Sequence, residues 1–370
     1  MKSNTLGIIG GGQLGMFTCI AAKKIGVRTV VFSTEKNFSA KMFCDDFFIG
    51  DFDNVNKVDK FINSAGFFTV ETENISKQIL RKIQKKKKLF PSSEIIEIAQ
   101  NRLKEKKFLN TIQDIKTTNF LEINNFEQLK IGVSKFNFDC ILKTQEMGYD
   151  GKGQQKVDRN NLTKFKNLDL SNHILEEKVK FKLEISVIVV KSNDDIVVYP
   201  PVQNLHKDSI LRETIYPAKI SKSILQKSEM MACKISDALN LNGVLAVEMF
   251  ITMNDEILIN ELAPRPHNSG HWTIDSCSYS QFDNLVSLIM NGKMFATQFN
   301  SKAPDINLHI QSTGGSLLDS LYMSDFINNL KTPVNTYVDG YTASAASLLS
   351  VVGTKRFMVS SPIIDSASPL

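Results

Sequence analysis

The chain has 370 residues, 42% of them hydrophobic and 22% charged, an ordinary globular composition that argues against disorder and allows two or three domains with cores of their own. Lysine plus arginine number 44 against 39 aspartate plus glutamate, a formal charge of +5, which suits anionic small molecules as well as it suits nucleic acid. The one dense basic run, at 85–88, reads as a solvated helix end, so no nucleic-acid partner is expected.

Five cysteines without paired spacing argue against a zinc site or disulfide framework and for a reducing compartment. No apolar run nears the roughly 20 residues of a membrane span. A cytoplasmic protein with no membrane partner is expected.

Taken in chain order, 5–10 is a short apolar run, followed by Gly10-Gly11-Gly12-Gln13-Leu14-Gly15, a helical pattern and a second apolar run at 27–32. This predicts a βαβ unit. Strand-like runs at 46–49 and 66–70 continue the alternation and predict a parallel, helix-wrapped, Rossmann-like sheet to about residue 90. Pro91-Ser92-Ser93-Glu94 then opens a helix with serine as its N-cap, and 102–110 predicts a charged helix leading into the next unit. From Asp139 strands dominate, at 140–143, 174–177, 184–190, 196–200, 244–251 and 256–260, which predicts an α+β body. After about residue 300 the chain turns rich in Ser, Thr, Gly and Ala. The expected fold class is α/β, with domains at 1–92, 93–298 and an atypical α/β C-terminal segment at 299–370.

The first glycine cluster fits a dinucleotide fingerprint, with Glu35 where a ribose-binding acid would fall, but any phosphate near a helix N-terminus needs the same glycines. A second cluster, Gly148-Tyr149-Asp150-Gly151-Lys152-Gly153-Gln154, follows the strand ending in Lys143. Its glycines let amides approach phosphate oxygens while Lys143 and Lys152 supply point charges; it is not a Walker loop, since no Gly-Lys-Ser/Thr opens a helix. Glu248 and Glu261 lie in otherwise apolar strands joined by a turn at Asn254-Asp255, and with Asn260 they offer the hard oxygen ligands that Mg2+ on ATP phosphates requires. The donor-rich loop Ala263-Pro264-Arg265-Pro266-His267-Asn268-Ser269-Gly270-His271-Trp272 spaces His267 and His271 like a helical metal pair. Pro266 and Gly270 oppose a helix, so anion or substrate binding is expected there.

These motifs, together with Glu71-Thr72-Glu73-Asn74 and Gln203-Asn204-Leu205-His206, appear in an order that resembles the 5-(carboxyamino)imidazole ribonucleotide synthases, the PurK-type members of the ATP-grasp superfamily, over about 5–295. The resemblance implies a pre-ATP-grasp domain followed by an ATP-grasp domain. It implies that Arg102, Lys143 and the 148–154 loop (Gly148, Tyr149, Asp150, Gly151, Lys152, Gly153, Gln154) hold ATP phosphates. Glu176, Glu177, Lys178 and Val179 with Glu184 would bind adenine and ribose, His206 and Asn260 would lie near the nucleotide, and Glu248 and Glu261 would carry Mg2+. Gln13, Leu14, Glu73, Tyr149, Asp150, Arg265, His267 and Asn268 would hold the ribonucleotide, with Lys143, Asp150 and Arg265 nearest the chemistry. The implied reaction phosphorylates bicarbonate to carboxyphosphate and carboxylates 5-aminoimidazole ribonucleotide; a homodimer is implied as well.

The resemblance stops at the tail, which lacks the family's C-terminal basic motif. Instead 305–316 and 338–347 resemble the middle of a Clp-type serine protease, with Gly314-Gly315 as oxyanion loop and Ser344 as nucleophile. His309, the only tail histidine, precedes the glycines, so the triad is incomplete and a structural or joined fragment is expected. Three other readings stay open: a formate-dependent glycinamide ribonucleotide transformylase, an NAD-dependent oxidoreductase, and an ATP-binding protein without turnover.

Overall fold

The computed structural model describes residues 4–146, 153–207, 210–298, 306–312, 315–328, 334–350, 352–353, 355–358 and 363–365. The chain divides into two compact units, Met1–Gln298 and Phe299–Leu370.

The first unit holds three sheets. Strands β1 (Thr5–Ile9), β2 (Arg28–Ser33), β3 (Asp46–Ile49), β4 (Phe67–Val70) and β5 (Lys88–Phe90) form a parallel sheet in the order β3-β2-β1-β4-β5. Helices α1 (Gln13–Lys24), α2 (Val55–Ser64) and α3 (Lys77–Lys86) connect them. Every residue of β1 is buried, as a central parallel strand covered on both faces must be. Phe61 of α2 meets Phe32 and Phe68 edge-on at centroid distances of 5.4 and 5.2 Å; burial of each such ring contributes roughly 1.5–3 kcal/mol.

Helix α4 (Ser93–Ala99) follows, capped differently from expectation: Ser92 occupies the N-cap but its side chain accepts no cap bond. Gln84 does the capping instead. Its Oε1 accepts from Ser93 N at 2.6 Å and its Nε2 donates to Glu94 at 2.9 Å, a tertiary contact that serine-based reading cannot anticipate. Helix α5 (Arg102–Leu109) is capped by Asn101, which accepts from Lys104 N.

The second sheet is antiparallel, β6-β9-β7-β8, from β6 (Phe120–Ile123), β7 (Cys140–Thr144), β8 (Gln154–Val157) and β9 (His173–Glu177), with helix α6 (Phe126–Lys135) between β6 and β7. The third, also antiparallel, runs β12-β11-β10-β13-β14, from β10 (Phe181–Lys191), β11 (Ile196–Lys207), β12 (Ile210–Ile215), β13 (Gly243–Thr252) and β14 (Ile257–Ala263). Helix α7 (Lys222–Ala238) precedes β13, while α8 (Thr273–Ser276) and α9 (Gln281–Asn291) follow β14.

Strand alternation splits β10 between two cores. Val187 and Val189 pack with Met231 and Ile235 of α7, whereas Ile188 and Val190 share a core with Phe282 and Leu285 of α9 and with Leu14 and Cys19 of α1. A strand buried on both faces reads as continuous apolar sequence, which is why 187–190 made the 184–190 strand legible. Strand β11 runs past the predicted 196–200, because Pro200 and Pro201 sit at a register irregularity opposite Ser186 and Ile188 instead of ending the strand. The predicted turn between β13 and β14 is present, with Asp255 at φ 63°.

The second unit has β15 (Ile306–Ser312), α10 (Leu317–Asn328), β16 (Val334–Ala343), α11 (Ser347–Ser350), β17 (Lys355–Met358) and β18 (Ile363–Asp365), all strands parallel, with β16 between β15 and both β17 and β18. Ser344 lies in an exposed turn at φ 52°. Gly314 falls outside the described residues.

Candidate active site

A cavity of about 630 Å³ opens in the first unit. Of the residues expected to bind nucleotide, metal or substrate, Gln13, Glu73, Arg102, Lys143, Gln154, Glu176, Glu177, Lys178 and Val179 line it, as do Glu184, His206, Glu248, Asn260, Glu261, Arg265, His267 and Asn268. Leu14 does not; it faces the apolar core from α1. Gly153 lies off the wall beside Thr144 at φ 72°. Gly148, Tyr149, Asp150, Gly151 and Lys152 lie outside the described residues.

One end of the cavity is cationic. Lys143 Nζ lies 2.9 Å from Glu176 Oε2, Lys106 Nζ lies 3.5 Å from the same oxygen, and Lys106 also donates to Thr118 Oγ1 at 2.9 Å. Burial alone would raise the Glu176 carboxyl, but the two ammonium groups hold it at about 2. Two lysines on one carboxylate leave a positive excess suited to phosphate oxygens. Arg102 Nη1 donates to Thr144 O at 2.8 Å on the same side.

Another part of the wall is acidic. Glu248 and Glu261 are register partners across β13 and β14, so their Cβ atoms lie roughly 4.5–5.5 Å apart. Burial and then the Glu248 charge push the Glu261 carboxyl above its ordinary range. Burial works against ionised Glu248, yet the hydrogen bond and charge of His267, with His206 and Arg265 nearby, together outweigh it and the carboxyl falls below the usual range. Glu105 is pushed well above that range by burial and by Glu261, while its Oε1 accepts from Leu262 N. No cluster of three His, Cys, Asp or Glu poised for a metal occurs among the described residues. Two carboxylates and an amide oxygen still fit magnesium, which keeps water and substrate phosphate in its shell.

His267 does not pair with His271. Its Nε2 lies 3.0 Å from Glu248 Oε1, and its Nδ1 accepts from Ser269 N at 3.3 Å and meets Ser269 Oγ at 2.8 Å. A backbone N–H only donates, so Nδ1 is the accepting nitrogen and Nε2–H donates to Glu248. A buried chain continues the arrangement: Ser186 Oγ to Ser269 Oγ 2.6 Å, Asn204 Nδ2 to Ser186 Oγ 3.0 Å, Thr214 Oγ1 to Asn204 Oδ1 3.3 Å. His271 instead packs 5.1 Å from the Phe17 ring, and burial pushes its imidazole down to about 4.

Elsewhere on the wall, Arg265 grips Glu73 with Nε on Oε2 and Nη2 on Oε1 at 3.2 Å. Burial would raise the Glu73 carboxyl, but Arg265 holds it below the usual range. His206 Nδ1 pairs with Glu184 Oε2, and that contact raises the imidazole. Phe181 and Phe250 stack at 4.7 Å and 16°, giving an apolar patch suited to a planar base.

The glycine turn at 10–15 departs from the phosphate-cradle reading. Gly12 N and Gly15 N both donate to the Glu71 carboxylate, the latter at 2.7 Å. Burial lifts that carboxyl above its ordinary range, with the two N–H donors pulling it back.

Sequence reasoning missed Glu105, Lys106, Phe181 and Phe250. Lys106 carried a signal, since it falls on the buried face of α5 with Leu103 and Leu109, where a charge needs a partner.

The family model of the ribonucleotide synthetase preATP-grasp domain matches residues 2–100, and that of the ATP-grasp domain matches 108–282. The N5-carboxyaminoimidazole ribonucleotide synthase of Bacillus subtilis is 36% identical over 307 residues, covering 82% of this chain and 80% of its own. The chain belongs to the N5-carboxyaminoimidazole ribonucleotide synthase family. As a member of this family it is an ATP-dependent ligase. The bifunctional purine synthesis protein purC/E of Dictyostelium discoideum is 35% identical over 311 residues; the synthase-like chain covers 31% of that protein's length. The Aspergillus clavatus N5-carboxyaminoimidazole synthase, solved with ADP and 5-aminoimidazole ribonucleotide, superposes with a TM-score of 0.72 at 29% identity, over 80% of this chain and 78% of that one. A Clp protease family model matches residues 277–364.

Proposed function

We propose that the protein carboxylates 5-aminoimidazole ribonucleotide at the expense of ATP. A bicarbonate oxygen attacks the terminal phosphorus, ADP departs, and carboxyphosphate forms. The amine nitrogen then attacks the carboxyl carbon, the C–O bond to phosphate breaks, and 5-carboxyaminoimidazole ribonucleotide is released with phosphate. The reaction asks for alignment and charge neutralisation more than for a nucleophilic side chain.

The single observation that carries this reading is that one cavity is lined both by Lys143, paired with Glu176, and by the Glu248–Glu261 pair. Lys143 and Arg102 would hold phosphate oxygens, with Lys106 buried behind them on Glu176, and Gln154 and the 148–153 loop would join them. Glu176, Glu177, Lys178, Val179 and Glu184 would hold adenine and ribose, against the Phe181–Phe250 stack and near His206. Glu248, Glu261 and Asn260 would hold Mg2+, which when bound supplies charge neutralisation to the phosphates. Arg265, kept in place by Glu73, with His267, Asn268 and Gln13, would hold the ribonucleotide, and closure over it would protect carboxyphosphate from water.

The domain limits 1–92, 93–298 and 299–370, bicarbonate as the carbon source, a cytoplasmic setting and a homodimer belong to the same proposal. No helix of the described residues is long and apolar enough to cross a membrane. For the last segment the match at 277–364 supports a Clp-type fold without assigning peptidase activity.

The test is ADP release by the full chain with Mg2+ and ATP. Release that needs both bicarbonate and 5-aminoimidazole ribonucleotide is the expected result; release that needs formate and glycinamide ribonucleotide would replace it with the transformylase reading.

A further inference from the structure

The glycine turn that resembles a phosphate cradle already holds an anion, and the anion is part of the chain. Glu71 is the residue after β4, and the crevice it enters lies between β1 and β4, where the order β3-β2-β1-β4-β5 reverses direction. Ligands of open α/β sheets settle at such a switch point. Here both Glu71 oxygens are used internally, Oε1 by Gly12 N and Oε2 by Gly15 N. These amides belong to the first turn of α1, whose N-cap Gly12 offers no side-chain cap, so the carboxylate satisfies donors that would otherwise be orphaned.

The same contact explains two of the glycines. A Cβ on Gly10 would lie 2.3 Å from Glu71 Cγ, and one on Gly12 would lie 2.8 Å from Glu71 Oε1. A Cβ on Gly15 would meet Gly10 O first, at 2.9 Å, and Glu71 Oε2 next, at 3.2 Å, so Glu71 packs against each glycine of the dinucleotide-like spacing. Between the two donating glycines stands Gln13, whose Nε2 donates to Asn268 Oδ1 at 3.2 Å, and both side chains line the cavity. Two residues beyond Glu71, Glu73 clamps Arg265. The end of β4 therefore sends one carboxylate to each side of the same loop contact.

We propose that Glu71 is a positioning residue: its carboxylate stands in for a bound phosphate in the glycine turn, closes that turn to nucleotide, and holds Gln13 where it fixes Asn268 at the ribonucleotide end of the cavity. The assignment of that end rests on the function proposed above. Glu71 touches no reacting atom; it acts through Gln13.

The experiment uses the full chain with Glu71→Gln, Glu71→Ala and Gln13→Ala, reading KM for 5-aminoimidazole ribonucleotide and for MgATP separately. Expected is a rise of roughly tenfold or more in the ribonucleotide KM, with the MgATP KM within about twofold of wild type. In Glu71→Ala, added acetate restores part of the ribonucleotide affinity by occupying the vacated turn, and chloride at equal ionic strength does not. Combining Glu71→Ala with Gln13→Ala adds little to either alone, since the two act through one contact. Should Glu71→Ala fail to fold, the near-isosteric Glu71→Gln carries the KM comparison. Parallel changes in both KM values, an unchanged ribonucleotide KM, or acetate without effect on folded Glu71→Ala would each overturn the proposal while a wild type with ribonucleotide-dependent ADP release leaves the function standing. A wild type without that dependence overturns both.

Discussion

Glu248 and Glu261 face each other directly across paired strands, two carboxylates in register, with a His267 hydrogen bond to one of them. Directly opposed like charges weaken a strand pair, by roughly 0.2–1 kcal/mol, and a site retains such a pair when a divalent cation offsets it. Replacing Glu261 by Gln is expected to raise the melting temperature of the metal-free protein by a few degrees, as about 0.5–1 kcal/mol would. The same change is expected to cut kcat/KM for MgATP by about 100-fold or more. Calorimetry and steady-state kinetics on one preparation check both halves.

The pH dependence follows from the raised Glu261 and Glu105 carboxyls. Their folded values lie above their unfolded ones, so as pH rises through the unfolded value the unfolded chain loses protons first and stability falls. Measured against Glu261→Gln, the metal-free wild type is therefore expected to lose stability from about pH 4 upward, since the depressed carboxyls act alike in both proteins. Saturating magnesium with ADP should flatten the difference. Denaturant titrations across that range provide the measurement.

Glu176 titrates in the opposite sense, with its folded value at about 2, below the ordinary 4.5. Its contribution is complete above the unfolded value and is lost as pH falls toward 2. Glu176→Gln should be less stable than wild type at neutral pH, because Lys106 and Lys143 lose their shared counter-charge, and the gap should close in acid. An undiminished gap at low pH would contradict the ion cluster.

Ser186→Ala removes the middle of the chain that ends on His267. Asn204 Nδ2 loses its acceptor, and a buried unsatisfied donor costs about 1–3 kcal/mol. In wild type, nitrogen-15 spectra of the imidazole should show His267 with its proton on Nε2. Protonation on Nδ1 instead would break the donor order proposed for the whole chain.

Every described wall of the cavity comes from the first unit, between Gln13 and Asn268. A chain ending at Gln298 should bind MgADP within about threefold of the full chain, as judged by isothermal titration. A much weaker affinity would assign residues 299–370 a part in the nucleotide site.

The legible parts of this molecule are those whose physics is local. Apolar runs buried on both faces, such as 6–9 and 187–190, mark central strands, and carboxylates inside apolar strands drew attention to Glu248 and Glu261 before any geometry was available. Contacts made across long sequence separations were not legible. The cap of α4 comes from Gln84, the glycine turn is filled by Glu71 from 56 residues away, and Glu105 reaches Leu262 across 157 residues. Lys106 sits between these cases: its position on the apolar stripe of α5 was visible, but the partner Glu176 that explains it lies on β9.

The central claim, carboxylation through carboxyphosphate, is tested most directly with oxygen-18 bicarbonate. During ribonucleotide-dependent turnover the bicarbonate oxygen that attacked phosphorus leaves with the phosphate, so one labelled oxygen per turnover is expected in the inorganic phosphate released. Phosphate free of label, with ADP and carboxylated product still formed, would contradict the account.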